Sequence, residues 1–262
     1  MDRIKPPAVA GLFYPDDPDE LRSQVSAFLK EGQAGRVEKP KALIAPHAGY
    51  IYSGATAGHA YAQLKSVADT ITHVVILAPS HHLAFPGIGY CSATQFQTPL
   101  GYLMVNQHAI SLISSLPQVN QVDEAFEKEH SLEVQLPFLQ MTLGDFQITP
   151  LLVSDAKSSD VAEVLEQLWG GDETLIVISS DLSHYLDYKS AQSIDREATR
   201  AIEQLEPDGL SYHHACGRTP VSGLLIAARR HHLNATTLDL RNSGDTAGSR
   251  NQVVGYGAYA FT

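Results

Sequence analysis

The sequence predicts an α/β fold in which a central, mostly parallel β-sheet is covered by helices, and three observations support this. Several short apolar runs are unbroken rather than alternating, which is typical of strands that helices bury on both faces. Segments with helical periodicity separate these runs along the chain. The length of 262 residues fits one α/β domain, because such domains often reach about 250 residues. We therefore expect a single domain over residues 1–262.

Four apolar runs are predicted to form the parallel part of the sheet: residues 41–46, 72–79, 148–153 and 174–179. A later pair of strands, 236–242 and 252–261, is predicted to close it. Helices are predicted at 17–30, 54–67, 129–143, 159–169, 187–205 and 220–230. Asp16 or Asp17 lies where the N-cap of the first helix is expected. Residues 31–40, with Gly, Gln, Lys and Pro, predict a loose connection after that helix.

The charge and composition of the chain argue against several classes of protein. Asp plus Glu number 29 and Lys plus Arg number 18, and the net charge of −11 opposes binding to the phosphate backbone of nucleic acids. No apolar run reaches about 18 residues, so we expect no membrane span. Only Cys91 and Cys216 occur, and the first residues lack the apolar stretch of a signal peptide. A cytoplasmic location is therefore expected.

Histidine is the unusual residue of this composition, with 12 in the chain, about twice the usual share. His47 and His81 each follow a predicted strand, His184 comes a few residues after another, and Asp245 follows a late strand. The carboxyl ends of parallel strands meet at one edge of a sheet, where ligands bind. One such histidine alone is more often a loop residue that bonds to the backbone. Four ligand-type side chains at four strand ends favour a shared metal site.

Two further segments carry polar residues, and the first leaves two interpretations open. Glu129 and Glu133 are one turn apart at the start of a predicted helix, with His130 beside them. Either the helix start is solvated and acidic, or His130 points into the site. Cys216 lies in a turn with Gly and Pro before a helix, which indicates a structural role. Cys91 lies in an apolar run, which indicates a core position.

Six motifs, in order along the chain, resemble those of the Memo family. They are PAVAGLFYP at 7–15, APHAGY at 45–50, PSHH at 79–82, EHSLE at 129–133, SSDLSH at 179–184 and CGR at 216–218. Each motif alone is weakly specific, whereas six in order are jointly very specific. The similarity extends over nearly the whole chain. It implies a fold like that of the class III extradiol (LigB-like) dioxygenases, which use non-haem iron.

The resemblance also implies a metal site in which His47 and His81 match two ligand histidines. The animal branch of the family has a further cysteine ligand near the C-terminus. Here the corresponding segment, residues 242–246, has no cysteine, and Asp245 or Thr246 takes that place. Two imidazoles and a carboxylate resemble the facial triad of Fe(II) enzymes, whereas a thiolate favours Cu(I) or Zn. We expect a divalent metal at His47, His81 and Asp245, with Fe(II) favoured and Cu or Zn as alternatives.

The other site residues are expected to support this centre. The resemblance places His184 where the dioxygenases keep an acid–base residue, and an imidazole with an ordinary pKa of about 6.5 suits proton transfer. Asp181 is expected to accept a ring N–H from a site histidine, with an N-cap of the following helix as the alternative. Tyr50 and His130 are expected to contact substrate, and His82 to lie beside the ligands.

Three functional hypotheses are consistent with these residues. The first is an Fe(II)-dependent oxidation of a small aromatic or other chelating substrate. The second is a non-catalytic metal- or peptide-binding module, although an acidic surface counts against phosphopeptides. The third, implied by the resemblance to microbial relatives, is a partner in an assembly with proteins of the AMMECR-like and radical-SAM families. An oxygen-dependent reaction with Fe(II) and a catechol-type compound would distinguish the first from the others.

Overall fold

A large β-sheet runs through the computed structural model, which describes residues 3–262. The first two residues of the predicted domain lie outside the described part. The strands are β1 (Ile4–Lys5), β2 (Ala42–Ala45), β3 (His73–Pro79), β4 (Ile88–Tyr90), β5 (Gln95–Thr98), β6 (Gly101–Val105), β7 (Val119–Gln121), β8 (Gln147–Val153), β9 (Thr174–Ser179), β10 (His184–Leu186), β11 (Ala235–Asn242) and β12 (Val253–Phe261).

Helices cover this sheet. They are α1 (Pro18–Glu31), α2 (Tyr50–Tyr61), α3 (Gln107–Ile113), α4 (Asp123–Phe126), α5 (Leu136–Thr142), α6 (Ser158–Gln167), α7 (Tyr188–Glu203) and α8 (Arg218–Arg230). Within the described residues, none of them combines the length and the apolar character needed to cross a bilayer.

The sheet is parallel at its centre and antiparallel towards one side. Strands β8, β3, β9 and β2 are parallel neighbours in that order. Strand β12 joins β2 in the antiparallel sense and carries β10 and β11 as further antiparallel partners. Helix α8 packs against both β3 and β9. The α/β fold with a mostly parallel, helix-covered sheet is therefore confirmed.

Burial on both faces explains why the central strands are unbroken runs of apolar residues. Every residue of β2 and of β9 is buried. Leu77 of β3 lies in register with Leu151 of β8 and Ile178 of β9, and all three side chains are fully buried. Only the first residues of β3 and β8, His73 and Gln147, are not buried, so no face of these strands requires alternating polar side chains.

Capping determines where the first helix begins. Asp17 is its N-cap and accepts hydrogen bonds from the backbone N–H groups of Asp19 and Glu20. Pro18 occupies the first helical position, where no N–H donor is needed. The helix ends with Glu31, and Gly32 is its C-cap. A Cβ on Gly32 would lie 2.3 Å from the carbonyl oxygen of Gly58. Glycine at this point therefore lets α1 approach α2 closely.

Two parts of the sequence prediction differ from the structure. The helix predicted at 129–143 begins only at Leu136, after a 3-10 turn at Glu133–Gln135. The reason is that Glu129 and Glu133 accept hydrogen bonds from distant backbone N–H groups instead of lying in solvent at a helix start. The prediction also missed eight short elements, which are β1, β10 and, between residues 88 and 126, β4 to β7, α3 and α4. Hydrophobic periodicity needs longer windows than these elements offer.

The buried carboxylate of Glu133 fixes the N-terminal segment to the body of the protein. It accepts hydrogen bonds from the backbone N–H groups of Ala8 (2.7 Å) and Val9 (3.0 Å) and from the Tyr14 hydroxyl (2.7 Å). Lys5 Nζ lies 3.9 Å from the same carboxylate. This anchoring matters for function, because the segment places Phe13 at the site described below.

We expect Glu133→Ala to lower the free energy of unfolding by about 3–5 kcal/mol, because it leaves three donors without their acceptor. Equilibrium urea unfolding measures the loss. Glu124→Ala, at an exposed position nearby, is the matched control and should change stability by less than about 0.5 kcal/mol. An unfolding midpoint of Glu133→Ala equal to that of the control would show that the anchor contributes little.

Candidate metal centre

Three neighbouring strands bring the candidate ligands together. His47 follows β2, His81 follows β3, and Asp181 follows β9, which lies between β2 and β3. The ring centroids of His47 and His81 are 5.1 Å apart. The His130 ring lies 5.5 Å from that of His47 and 4.8 Å from that of His81. The convergence expected from the strand ends thus occurs for the two histidines predicted as ligands.

Cys216 is the third donor at this point. Its Sγ lies 3.3 Å from His47 Nε2, and ligand-type atoms of His47, His81 and Cys216 all lie within 4.8 Å of one another. The residue comes from the turn before α8, which packs on β3, the strand that precedes His81, and on β9. Burial, followed by the negative charge of Asp181, raises the pKa of the thiol to about 12. Without a cation the sulfur therefore keeps its proton at neutral pH.

Buried hydrogen bonds determine which nitrogen of His47 is free. Ser179 Oγ donates to the Ser131 carbonyl at 2.6 Å and accepts from Gln135 Nε2 at 2.8 Å. Gln135 Nε2 also donates to the Pro46 carbonyl at 2.9 Å, which fixes the orientation of the amide. His47 Nδ1, 2.9 Å from Ser179 Oγ, must then be the donor of that contact, since the hydroxyl proton is already used. The lone pair of His47 is therefore on Nε2, towards Cys216.

His81 is held in the same way by a buried carboxylate. Its Nδ1 lies 2.9 Å from Glu129 Oε1. Burial alone would raise the pKa of Glu129, but hydrogen bonds from His81 and Ser131 bring it far below its ordinary value. The ionised carboxylate has no proton to give, so His81 donates from Nδ1 and keeps its lone pair on Nε2. A carboxylate partner of this kind orients histidine ligands at many metal sites.

Burial favours the uncharged form of two histidines in this cluster. Burial, and then the neighbouring histidines, lowers the pKa of His47 well below 6.5. Burial likewise lowers the pKa of His130 to about 4, against the attraction of Glu129. The rings of His47 and His130 are therefore neutral at pH 7, and neutral imidazole is the form that binds metal. The possible ligands His47, His81 and Cys216 supply two imidazoles and one thiol, which fit a divalent ion or Cu(I).

The structure does not bring the third predicted ligand, Asp245, to this cluster. Its carboxylate accepts hydrogen bonds from the Tyr188 hydroxyl and from the Asn242 N–H, the latter closing a capping box around a 3-10 turn. Thr246, the alternative, bonds to the Ser243 carbonyl. The physical reason is local: Ser243, directly after β11, lines the same cleft as His47 and His81, but the Asp245 carboxylate is held by Tyr188 and Asn242. Cys216, and not Asp245, has its ligand-type atom near those of the two histidines.

Asp181 supports the site differently from the expectation. Its Oδ1 accepts from the backbone N–H of His47 at 2.8 Å, while the ring Nδ1 of His47 contacts Ser179. Its Oδ2 lies 4.0 Å from His47 Nε2, on the side of the ligands. Burial raises the pKa of Asp181 to about 6. The N-cap alternative does not hold, because β10 follows and the N-cap of α7 is Asp187.

The remaining predicted residues divide between the site and the core. His184 Nδ1 donates to the Leu182 carbonyl at 2.8 Å, which leaves Nε2 free. The His82 ring lies 6.2 Å from that of His130, beside the ligands. Tyr50 is buried in the core with its hydroxyl on the Val134 carbonyl, at 2.7 Å, and lines neither cleft described next. Tyr52, two residues further along α2, lines the cleft at the site instead.

Two clefts reach the cluster from different sides. The histidine cleft, of about 650 Å³, is lined by all five site histidines, Asp181 and four aromatic rings: His47, His81, His82, His130, His184, Phe13, Tyr52, Tyr185 and Tyr256. The cysteine cleft, of about 610 Å³, has Cys216 in its wall together with Ile194 and Tyr212. His81, His184 and Tyr185 border both clefts. No lysine or arginine among the described residues lines either one.

Sequence reasoning missed the roles of Cys216 and Glu129. Cys216 lies in a turn with Gly and Pro that indicated a structural role, and its place in the CGR motif at 216–218 was the available signal. Glu129 looked like an acidic residue at a helix start, although its neighbour His130 was suspected of entering the site. The two glutamates of this segment are both buried, with Glu129 facing the ligands and Glu133 facing the N-terminal segment.

We expect Glu129→Gln to lower affinity for a divalent metal by about 10–100-fold, because an amide cannot accept both hydrogen bonds from His81. Titration with Zn²⁺ against a competing chelator measures the change. The exposed Glu127→Gln is the matched control. The lowered pKa of Glu129 also stabilises the fold above the ordinary pKa of about 4.5, and this contribution is lost as the pH falls. Equal metal affinities of Glu129→Gln and Glu127→Gln would show that Glu129 does not support metal binding.

Known proteins similar to this chain give one consistent result. The family model described as Memo-like protein matches residues 5–260. A MEMO1 family protein of Aquifex aeolicus is 35% identical over 97% of this chain and 97% of its own length. MEMO1 family proteins of Metallosphaera sedula and Nitrosopumilus maritimus are 34% and 33% identical, each over 98% of this chain and over 98% and 99% of their own length.

Proposed function

The chain belongs to the Memo family, and from this premise we propose that it is a metalloprotein that oxidises a small aromatic or chelating substrate. The metal would be one divalent ion, Fe(II), held by His47 and His81. The observation that carries the proposal is the pair of Nε2 lone pairs, fixed by Ser179 and Glu129, that meet beside a thiol. Such preorganised donors at the end of a cleft are the usual form of a metal site.

Fe(II) would supply the redox and Lewis-acid chemistry that reactions with dioxygen require. The protein's own residues do the rest. His184 borders both clefts, its Nδ1 bonds to the Leu182 carbonyl, and its other ring nitrogen suits the transfer of a proton to or from the substrate. Asp181 fixes the backbone of His47 and so the position of that ligand. Phe13, Tyr52 and Tyr256 give the histidine cleft apolar walls that hold a ring and exclude water.

The test is a metal analysis of protein purified without oxygen, followed by oxygen uptake with catechol. One equivalent of iron, with uptake that requires both metal and catechol, is the expected result. The His47→Ala, His81→Ala protein is the matched control for iron free in solution. Stoichiometric metal without oxygen uptake for catechol or other chelating phenols would contradict the enzymatic proposal.

The thiol of Cys216 favours a second candidate, a non-catalytic metal-binding module. Thiolates prefer Zn²⁺ and Cu(I), and a sulfur beside the metal is itself open to oxidation. This candidate predicts that the purified protein holds Zn or Cu rather than iron. It also predicts that Cys216→Ser lowers Zn²⁺ affinity more than Fe(II) affinity. Among residues 3–262, no lysine or arginine lines either cleft, which counts against phosphate-bearing partners at this site.

A further inference from the structure

Tyr185 has an unusual backbone conformation next to the candidate metal centre. It lies in β10 between His184, which is in register with Val254, and Leu186, which is in register with Val253. Two steps along β10 thus match one step along β12, so Tyr185 is the extra residue of a β-bulge. Its φ is +58°, in the left-handed region where glycine is favoured and bulky residues are rare. Bulges of this kind redirect a side chain and occur next to active sites.

The other non-glycine residues with positive φ have an ordinary explanation that Tyr185 lacks. Gln33, Leu205 and His232 follow the ends of α1, α7 and α8, where a left-handed residue terminates a helix. Lys39 lies in the connection before β2. Among the non-glycine residues of 3–262, Tyr185 alone has a positive φ within a strand. A local strain of this kind persists at sites where it serves a function.

Packing does not account for a tyrosine at this position. The side chain is 70% exposed, so its burial stabilises the fold little. Its ring lies 5.8 Å from the His184 ring, at an interplanar angle of 69°. It borders both the histidine cleft and the cysteine cleft. An exposed aromatic ring is thus held at the junction of the two clefts, at the expense of backbone strain.

We propose that Tyr185 is a binding residue that stacks on a planar aromatic ligand whose donor atoms reach the metal site. This proposal rests on the proposed function, because the donor atoms of the ligand would bind the metal of that site. The rings of Phe13, Tyr52 and Tyr256 in the same cleft suit a planar apolar body. Within the described part of the chain, no lysine or arginine lines this cleft, whereas Asp181 does. The cleft therefore disfavours a ligand that carries a phosphate or several carboxylates. The ligand class is therefore an uncharged or weakly charged aromatic chelator.

The test compares two chelators on Zn²⁺-loaded protein, because Zn²⁺ is redox-silent. The aromatic probe is 2,3-dihydroxynaphthalene, followed by its fluorescence, and the ringless probe is acetohydroxamate. We expect Tyr185→Gly to weaken the aromatic probe about 10-fold and the ringless probe less than about two-fold. The thermal midpoint should not fall, because glycine relieves the strain at this φ. Tyr185→Phe keeps the ring and the affinity. Tyr102→Ala removes another exposed ring, in β6, and should bind as the wild type does.

Three results would overturn the proposal. One is an unchanged affinity of Tyr185→Gly for the aromatic probe. Another is an equal loss for both probes, which would mean that Tyr185 acts through the metal. The third is a lower thermal midpoint together with weaker binding, which would indicate a structural role. If the wild type binds no Zn²⁺ or Fe(II), the proposed function fails instead. Binding of 2,3-dihydroxynaphthalene to the metal-free protein then decides the matter: a dependence on Tyr185 supports stacking, and no binding overturns it.

Discussion

The variant with both His47→Ala and His81→Ala is expected to hold no stoichiometric divalent metal. Structural zinc sites with four ligands bind with about 10–16 kcal/mol, so the loss of two ligands removes about half of that. The corresponding fall in affinity is about 10⁴–10⁶-fold. Both rings are preorganised, with Nδ1 donating to Ser179 or Glu129. Metal analysis after loading and dialysis, beside wild type, measures the effect.

Folding of the double variant must be shown independently. His47 is buried and His81 is partly exposed, so the cavity left by His47→Ala will lower stability without removing the core. Circular dichroism and urea unfolding check this. Retention of one metal per chain by a folded double variant would show that the ion binds elsewhere.

Two single variants separate the structural ligand set from the one predicted by the sequence. Cys216→Ser should weaken Zn²⁺ binding, because it replaces a soft donor within 4.8 Å of the two histidines. Asp245→Asn should leave metal binding unchanged, because the Asp245 carboxylate accepts a hydrogen bond from the Asn242 N–H and so caps the turn at Ser243–Asp245. The opposite outcome, loss of metal in Asp245→Asn alone, would mean that this turn rearranges when metal binds.

His184→Ala is expected to retain the metal and to lose about 10²–10⁴-fold of any turnover, the usual contribution of a general acid or base. Its ring is oriented by the Leu182 carbonyl, and the residue borders both clefts. It is absent from the donor groups that lie within 4.8 Å of one another in the described residues. Metal content and oxygen uptake with catechol, measured on the same preparation, give the two readouts.

His108→Ala is the matched control for His184→Ala, because His108 is exposed on α3 and lines neither cleft. We expect it to change turnover little. If His184→Ala instead loses its metal as completely as the double variant does, His184 is a ligand and not an acid–base residue.

Strand identity and strand direction could be predicted from the sequence alone. The runs at 41–46, 72–79, 148–153 and 174–179 were each recognisable, because a strand buried on both faces must be apolar throughout. The parallel direction then placed His47 and His81 at one edge. Short elements between residues 88 and 126 escaped, since three to seven residues carry too little periodicity.

Which loops meet at that edge was decided only by the tertiary structure. Asp245 was predicted as a ligand and Cys216 as a structural residue. The carboxylate of Asp245 instead bonds to Tyr188 and to the backbone of Asn242. The turn with Cys216 leads into α8, which packs directly on β3 and β9. Glu129 was ambiguous for the same reason, because its role depends on His81, which lies 48 residues away in sequence. A sequence pattern reports the burial and direction of its own segment. Contacts between segments depend on strand order and helix packing, which the whole chain determines together.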